Sequence, residues 1–501
     1  MWLMPTPAEQ RTRTLDRLRG ESFDLLVVGA GIIGARVALE AARAGASVAL
    51  LDAGDFGSAT SSASSKLIHG GLRYLQMNDY GLVREAHRER QALLDRVATN
   101  LVWPLRFVLP VYRGGPHSVP TIAAGMLTYA TLSGFRHSRT RMAGAEAARR
   151  LVPPLNAEGL SAAGIFEDAQ TNDSRLVLAT VKAAARAGAA VANHLPVDGF
   201  QVAGGRVTGA GAGGMLVRAR ATVNAAGPWV DAVRRLEDPQ AQRVARLSKG
   251  VHVVVDPCDE PWGAGLTTPL PEGRVTFALP WEGMLLLGTT DTEYTGDPGA
   301  VRADPEDVET VLREAAVALP ARLLSPDRVR YTFAGLRVLP KGDGTTALAP
   351  REELIQTGRH GMVSVAGGKL TTHRRIALRV LQHLEAFRTV RLSSDPLPGA
   401  GQLPGRPPEV DPSLWAHLSH LYGSESLSVL AGGASEPVHP AGPDVWAQVL
   451  FALDQEWALT VEDVVRRRTT LAVRGLATPQ VREAIAATLA ERGVFKTPDG
   501  S

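Results

Sequence analysis

The chain of 501 residues carries a single cysteine, Cys258. One thiol rules out an internal disulfide framework, a cysteine-ligated zinc site and an iron–sulfur cluster, and it suits a reducing compartment. Charge excess is also scarce: 54 Lys and Arg face 51 Asp and Glu, a net +3. That is too little to argue for nucleic-acid binding, and no such partner is expected. The twelve histidines show no His-Glu-x-x-His or comparable spacing, so no metal site is expected. Long apolar runs are missing too. The most apolar stretch, Leu25 to Leu51, holds Arg36, Glu40 and Arg43, which a membrane-spanning helix would not carry at mid-depth. Residues 1–22 mix Arg with Asp and Glu and lack an apolar core, so no export signal is read there.

What is present points to an α/β chain. Phe23–Val28 reads as a buried strand, Ile32–Ala44 as a helix and Ser47–Leu51 as a second strand, together a βαβ unit of a parallel sheet. Asp173-Ser174 is expected to cap a helix over Arg175–Ala187, followed by a strand within Ala189–Leu195. Gly199–Gly214 reads as hairpins and Ala221–Ala225 as another strand. Residues 251–255 and 274–290 suggest a more antiparallel region. Met362–Val365 is a late buried strand and Leu370–Glu385 a helix. Six prolines between Pro396 and Pro412 mark a linker or an extended crossover, and the remainder is helical in pattern.

The strongest motif is Gly29-Ala30-Gly31-Ile32-Ile33-Gly34, a G-x-G-x-x-G placed between strand and helix. Gly29 permits the turn, Gly31 lets backbone approach a pyrophosphate, and Gly34 lets helix and strand pack closely. Asp52 lies 18 residues after Gly34, at the end of the second strand, where a carboxylate binds ribose hydroxyls. Motif and acid indicate a dinucleotide without choosing between NAD and FAD. The next run, Thr60-Ser61-Ser62-Ala63-Ser64-Ser65-Lys66-Leu67-Ile68-His69-Gly70-Gly71-Leu72-Arg73-Tyr74-Leu75, is too small and polar for a core element. Its hydroxyl residues suit close backbone contact with phosphates and a ring system.

This run, with the glycine motif before it, closely resembles the FAD-dependent glycerol-3-phosphate dehydrogenase family. Similar segments follow in the family's order: Val223–Val230, which includes Ala226 and Gly227, Lys249–His252, Gly288–Tyr294, Gly335–Pro340, Gly367–Thr372 and Leu459–Val464. The resemblance implies an α/β fold with a discontinuous Rossmann-like FAD domain (about 23–110, 160–248 and 350–390). An antiparallel α+β substrate domain (about 111–159 and 249–349) interleaves with it. An extension over 1–22, a Pro-rich linker over 396–412 and a C-terminal helical cap over 413–501 complete the division. It further implies FAD as cofactor and oxidation of sn-glycerol 3-phosphate to dihydroxyacetone phosphate. Electrons would pass to a membrane quinone from a cytoplasmic protein held peripherally at the inner face of the cell membrane. A homodimer is left open.

Oxidising a secondary alcohol removes a hydride from carbon and a proton from oxygen; a flavin takes the former, and the protein must hold the phosphate and accept the latter. Arg337 lies in an apolar segment with no other charge between Arg330 and Lys341, so it needs an anion: the substrate phosphate, its C2 oxygen, or a structural acid. Arg73 is the second candidate for the phosphate, and Arg351 a further one. Tyr74 positions substrate or packs. His69 carries an imidazole, whose unperturbed pKa lies near working pH, and is the candidate base, against the alternative of a structural histidine. Gly367-Gly368-Lys369-Leu370-Thr371-Thr372 follows a strand and opens a helix, so its backbone N–H groups would face the flavin's N1–C2=O edge. Lys369 would add charge there or touch the substrate oxygen. His373 stands where the family's best-known members carry an aromatic residue, and its role is open.

Three other readings compete. A glycerol-3-phosphate oxidase would pass electrons to oxygen and make hydrogen peroxide; family oxidases usually carry an added insertion, which favours the dehydrogenase here. A flavin-binding sensor would not need Lys369, His69, Arg73 and Arg337, and an amino-acid oxidase would need a carboxylate clamp. Val119 to Phe135 has no charged residue over 17 positions and is followed by Arg136, Arg139, Arg141, Arg149 and Arg150 against Glu146 alone. Such a segment either lies in an anionic headgroup layer or is a buried helix beside a solvated loop; attachment to the membrane surface through it is the expectation.

Overall fold

The computed structural model describes residues 6–71, 79–134, 140–260, 262–342 and 353–494. The chain enters through α1 (Pro7–Gly20), capped by Thr6, and runs through β1 (Ser22–Val28), α2 (Ile32–Arg43) and β2 (Val48–Leu51). It crosses to a second layer with β3 (Leu67–Ile68), α3 (Tyr80–Ala92), β4 (Val102–Tyr112), α4 (Val119–Leu132), β5 (Arg141–Gly144), α5 (Ala145–Leu151) and β6 (Leu160–Thr171). The first layer resumes with α6 (Asp173–Arg186), β7 (Ala190–Ala192), a hairpin of β8 (Val197–Ala203) and β9 (Arg206–Ala212), β10 (Met215–Asn224) and α7 (Val230–Glu237). The second is completed by β11 (Ala245–Val255), β12 (Gly265–Pro269), β13 (Val275–Trp281), β14 (Met284–Gly288), β15 (Thr292–Tyr294), α8 (Pro305–Ala315) and β16 (Val329–Pro340). β17 (Leu354–Thr357), β18 (Val363–Ala366) and α9 (His373–Gln382) close the first. The C-terminal part holds α10 (Pro412–Tyr422), α11 (Ser426–Leu430), α12 (Trp446–Gln455), α13 (Val461–Asp463) and α14 (Pro479–Glu491).

The first sheet runs β17-β18-β10-β1-β2-β7, parallel along this path except for β17, and the antiparallel β8–β9 hairpin joins it on β10. Its central strands are continuous apolar runs because helices cover them; α2, α6 and α9 bury Val37, Leu176, Val181 and Ile376 against Leu25, Val27 and Leu50. The second sheet, β15-β11-β14-β13-β12-β4-β6-β3, with β16 beside β11, is antiparallel apart from the β12–β4 pair. The two layers meet where β3 and the run before it leave the first sheet and join the second, and the cavity described below lies there.

Several boundaries differ from the sequence reading. Residues 1–22 are more than an extension: Leu18 of α1 is fully buried in the core under the first sheet. The cap of α6 is Asn172, whose side chain accepts from the Arg175 N–H at 3.2 Å, instead of Asp173-Ser174. Asp173 is unavailable because Lys66 and Ser64 hold its carboxylate, each at 2.7 Å. α9 begins at His373, three residues later than expected, since Gly367 and Gly368 turn with φ of +79° and +90°. The proline-rich stretch is a packed crossover at its start. The Leu397 side chain is buried and its N–H donates to the Val97 carbonyl at 2.8 Å, while Ser393 N–H donates to Glu40 at 3.1 Å. That contact covers the buried Arg36–Glu40 pair, the charges that argued against a membrane span.

The C-terminal part docks through charge. Arg467 and Arg468, within the basic cluster Val464–Arg468, are buried and both pair with Asp55, just beyond β2; Arg467 also holds Asp463 at 2.8 Å. The cluster is therefore an interdomain contact, with Arg466 alone exposed to solvent. Asp55, His194 and Asp463 lie close enough to hold a metal, but the two guanidinium groups already neutralise the carboxylates.

Candidate active site

A cavity of about 1140 Å³ opens between the two sheets. That exceeds the roughly 300–1,000 Å³ typical of a single small-ligand site, so it has room for a dinucleotide and a small substrate together. Gly29, Gly31, Ile32 and Asp52 line one end. Two glycines of the motif, Gly29 and Gly34, are sterically required. Gly29 has φ +100°, and a Cβ on it would lie 2.5 Å from the Ala225 carbonyl oxygen. A Cβ on Gly34 would lie 1.9 Å from the Gly29 oxygen, so Gly34 allows α2 to press against the loop and does not itself reach the cavity. Asp52 accepts from the Ala30 N–H at 2.6 Å and the Gly54 N–H at 2.9 Å, which holds the loop closed around it. Burial, opposed by those two bonds, pushes its carboxyl up to about 6.

The run from Thr60 forms the cavity wall. Thr60, Ser61, Ser64 and Ser65 line it, whereas Ser62 and Lys66 do not. Lys66 is buried behind the wall, with its ammonium in an ion pair with Asp173 at 2.7 Å and over the rings of Trp281 and Phe333. Its side chain therefore serves the packing between layers and turns away from the cofactor space the sequence reading gave it. Ser61 accepts from the Ile32 N–H at 3.0 Å, tying the wall to the start of α2. Thr60 donates to the Leu336 carbonyl at 2.7 Å, tying it to β16.

His69, Arg337 and Lys369 come from segments separated by up to 300 positions and line this same cavity, together with Ala226, Gly227, Gly368, Leu370 and Thr371. Thr371 joins two of these segments: its hydroxyl accepts from the His69 N–H at 3.0 Å and donates to the His69 carbonyl at 3.3 Å. Arg337 lies across the neighbouring strand, donating to the Thr290 carbonyl from both terminal nitrogens at 3.1 Å and to Thr289 at 3.0 Å. Asp291 stands 3.8 Å from it. The guanidinium fits because position 250 is glycine; a Cβ there would lie 2.5 Å from Arg337 Nη2. Arg73, Tyr74 and Arg351 fall outside the described residues.

Two site residues escaped motif reading. His252 lines the cavity, bonded to Ser65 at 2.9 Å and stacked on Phe333. Burial, helped by Arg337 and Lys66, holds its imidazole well below the usual range and hence neutral. It stood in the Lys249–His252 segment, but nothing local marked it as cavity-facing. Asp168 also lines the cavity, from within β6, a segment the sequence reading left unassigned. His373, by contrast, is fully buried, bonded to the Leu370 carbonyl at 2.7 Å, and pushed down to about 3 by burial and Arg36. It is a neutral packing residue.

Comparison with known proteins agrees with this geometry. A family profile described as FAD dependent oxidoreductase matches residues 24–374, and one described as the C-terminal domain of alpha-glycerophosphate oxidase matches 363–495. The "Glycerol-3-phosphate dehydrogenase" of Synechocystis is 34% identical over 92% of this chain and 91% of its own. The chain belongs to the FAD-dependent glycerol-3-phosphate dehydrogenase family. A further family member, "Glycerol-3-phosphate dehydrogenase 2" of Mycobacterium tuberculosis, is 34% identical over 93% of this chain and 83% of its own. The crystal structure of the Bacillus halodurans glycerol-3-phosphate dehydrogenase complexed with FAD superposes with a TM-score of 0.78, at 28% identity, over 98% of this chain and 94% of that one. The family's cofactor, FAD, fits the observed cradle: glycines where a Cβ would collide and a carboxylate beside the loop.

Proposed function

We propose that the protein oxidises sn-glycerol 3-phosphate to dihydroxyacetone phosphate and passes the electrons to a membrane quinone. One observation carries this reading: His69, Arg337, Lys369 and neutral His252 share a cavity with the dinucleotide motif. Bound FAD supplies the two-electron acceptor for the C2 hydrogen. The residues do the rest. Arg337 presents donors to the substrate's phosphate or C2 oxygen, Lys369 adds positive charge, and His69 receives the hydroxyl proton. Gly29, Gly31, Asp52, Thr60, Ser61, Ser64, Ser65, Ala226, Gly227, Gly368, Leu370 and Thr371 hold the cofactor at the cavity wall.

The acceptor reading rests on α4. It carries no charged residue, its Ile122 and Met126 line the cavity, and Leu127 on its other side is 64% exposed. Among the described residues no helix is long and apolar enough to cross a membrane, so contact with lipid would be made at the surface. Exposed Arg141, Arg149 and Arg150 follow α4 in sequence and suit anionic headgroups. The second reading, oxygen as acceptor, is favoured by the match of residues 363–495 to an oxidase's C-terminal domain.

Anaerobic mixing of the FAD-loaded protein with glycerol 3-phosphate tests the substrate: bleaching of the flavin's visible band is expected, and its absence would refute the assignment. Re-oxidation of the bleached protein then decides the acceptor. Rapid recovery with a soluble quinone and slow recovery with oxygen is expected; the reverse identifies an oxidase.

A further inference from the structure

The turn that carries His69 rests on a buried polar cluster drawn from three other elements. Gly70, next in sequence, donates its N–H to Asp168 Oδ1 at 2.9 Å. The same carboxylate accepts from the Tyr129 hydroxyl at 2.8 and 2.9 Å and pairs with Arg90, which also donates to the Glu167 carbonyl at 3.0 Å. Asp168, Tyr129 and Arg90 are all buried. His87 packs its ring on Tyr129 at 4.5 Å between centroids, so α3 supplies His87 and Arg90, α4 supplies Tyr129 and β6 supplies Asp168. The turn is pressed onto the cluster: a Cβ on Gly70 would lie 2.4 Å from both His87 Cε1 and the Tyr129 oxygen.

We propose that Asp168 is a positioning residue for His69, and that the Tyr129 hydroxyl makes α4 part of the clamp. The inference rests on the reading that His69 receives the substrate proton. A carboxylate whose oxygens are met by backbone N–H, phenol and guanidinium together has little freedom in a buried site, and it transmits that rigidity to the turn. Thr371 holds the His69 N–H and carbonyl as well, so the backbone that carries the imidazole is anchored on both sides of its Cα at the cavity wall. Proton transfer depends steeply on that placement; a shift of about 1 Å can cost roughly a hundredfold. Because Tyr129 lies on the helix whose Leu127 faces outward, the clamp also links the outer face of α4 to the catalytic turn.

Tyr129→Phe keeps the ring and removes only the hydroxyl; Asp168→Asn removes the charge. Both are compared with His69→Gln in anaerobic flavin reduction by glycerol 3-phosphate, together with amide hydrogen exchange over residues 67–71. For Tyr129→Phe we expect full FAD content, an unchanged substrate Kd, a limiting reduction rate lowered roughly tenfold or more, and faster exchange in the turn. Asp168→Asn should follow with a larger loss; if it does not fold, Tyr129→Phe decides alone. A slow His69→Gln with wild-type rate and exchange in Tyr129→Phe overturns this inference alone. So does a Tyr129→Phe defect fully explained by lost FAD or raised substrate Kd, which would make the cluster structural only. A wild-type rate for His69→Gln removes the base assignment and this inference with it.

Discussion

At the scale of single residues, the site depends on side chains that must be both charged and accurately placed. Arg337→Ala is expected to retain FAD and to lower kcat/KM by about 2–5 kcal/mol of transition-state binding, a few tens to a few thousand-fold. Steady-state kinetics showing a loss under about threefold would make Arg337 structural. Gly250→Ala tests the same group without touching it. The three atoms nearest the added methyl all belong to the far end of Arg337, so it is expected to displace the guanidinium from Thr289 and Thr290. It should fold, bind FAD and lose roughly ten- to a hundredfold in kcat/KM; unchanged kinetics would show that this placement is unimportant. Gly31→Val should yield apoprotein, because its side chain would stand beside Ser61 on the cavity wall. Normal flavin absorbance in that variant would contradict the cofactor placement.

At the scale of elements, α4 has one buried and one exposed face. Ile122, Met126, Tyr129 and Ala130 are buried, while Val119, Ala124 and Leu127 are exposed. A substitution at Met126 would therefore damage the cavity and could not report on lipid contact; Leu127→Asp is the informative change. Wild type is expected to float with anionic liposomes at low salt, and Leu127→Asp to remain largely in the soluble fraction with its FAD intact. Equal flotation of both would move the membrane contact elsewhere.

At the scale of the whole molecule, buried charge and buried neutral histidines set the response to acid. His87 is pushed down to about 4 by burial and Arg90, and His373 to about 3 by burial and Arg36. Both stay neutral in the fold yet would take a proton near 6.5 once unfolded. Through these two groups the unfolded chain binds more protons, so their contribution is fully present above about pH 6.5 and is lost as pH falls toward 4 and then 3; together they outweigh Asp52, whose raised carboxyl acts the other way below about 6. For His87 alone the loss is on the order of 3 kcal/mol. Asp55 and Glu456, both held below their usual range by arginines once burial is overcome, act in the same direction at lower pH. Urea unfolding of the FAD-loaded protein should show a lower midpoint at pH 5 than at pH 7.5, and a midpoint independent of pH would refute the argument. Asp55→Asn should loosen the C-terminal part, because it leaves Arg467 and Arg468 buried without their shared carboxylate, at a cost of about 3–5 kcal/mol.

The sequence by itself determined the βαβ nucleotide unit, because its signals are local. Continuous apolar strands, a glycine turn and an acid at the strand end lie within 30 positions, and each is required by the geometry of one short segment. Chain order also determined the identity of the wall run and of Arg337 as a charge in search of an anion. Only the tertiary structure decided which members of that run face the cavity. Lys66 follows a run of six small residues, five of them hydroxylic, yet its partner Asp173 lies 107 positions away, and that contact turns it inward. The same holds for Arg467 and Arg468 of the basic cluster, which Asp55 holds buried from 412 and 413 positions away. His252 read as a strand residue and Asp168 stood in no recognised motif; alternation along a strand names two faces and cannot say which one borders a cavity. That choice was made by packing one sheet against the other, over separations no local pattern encodes.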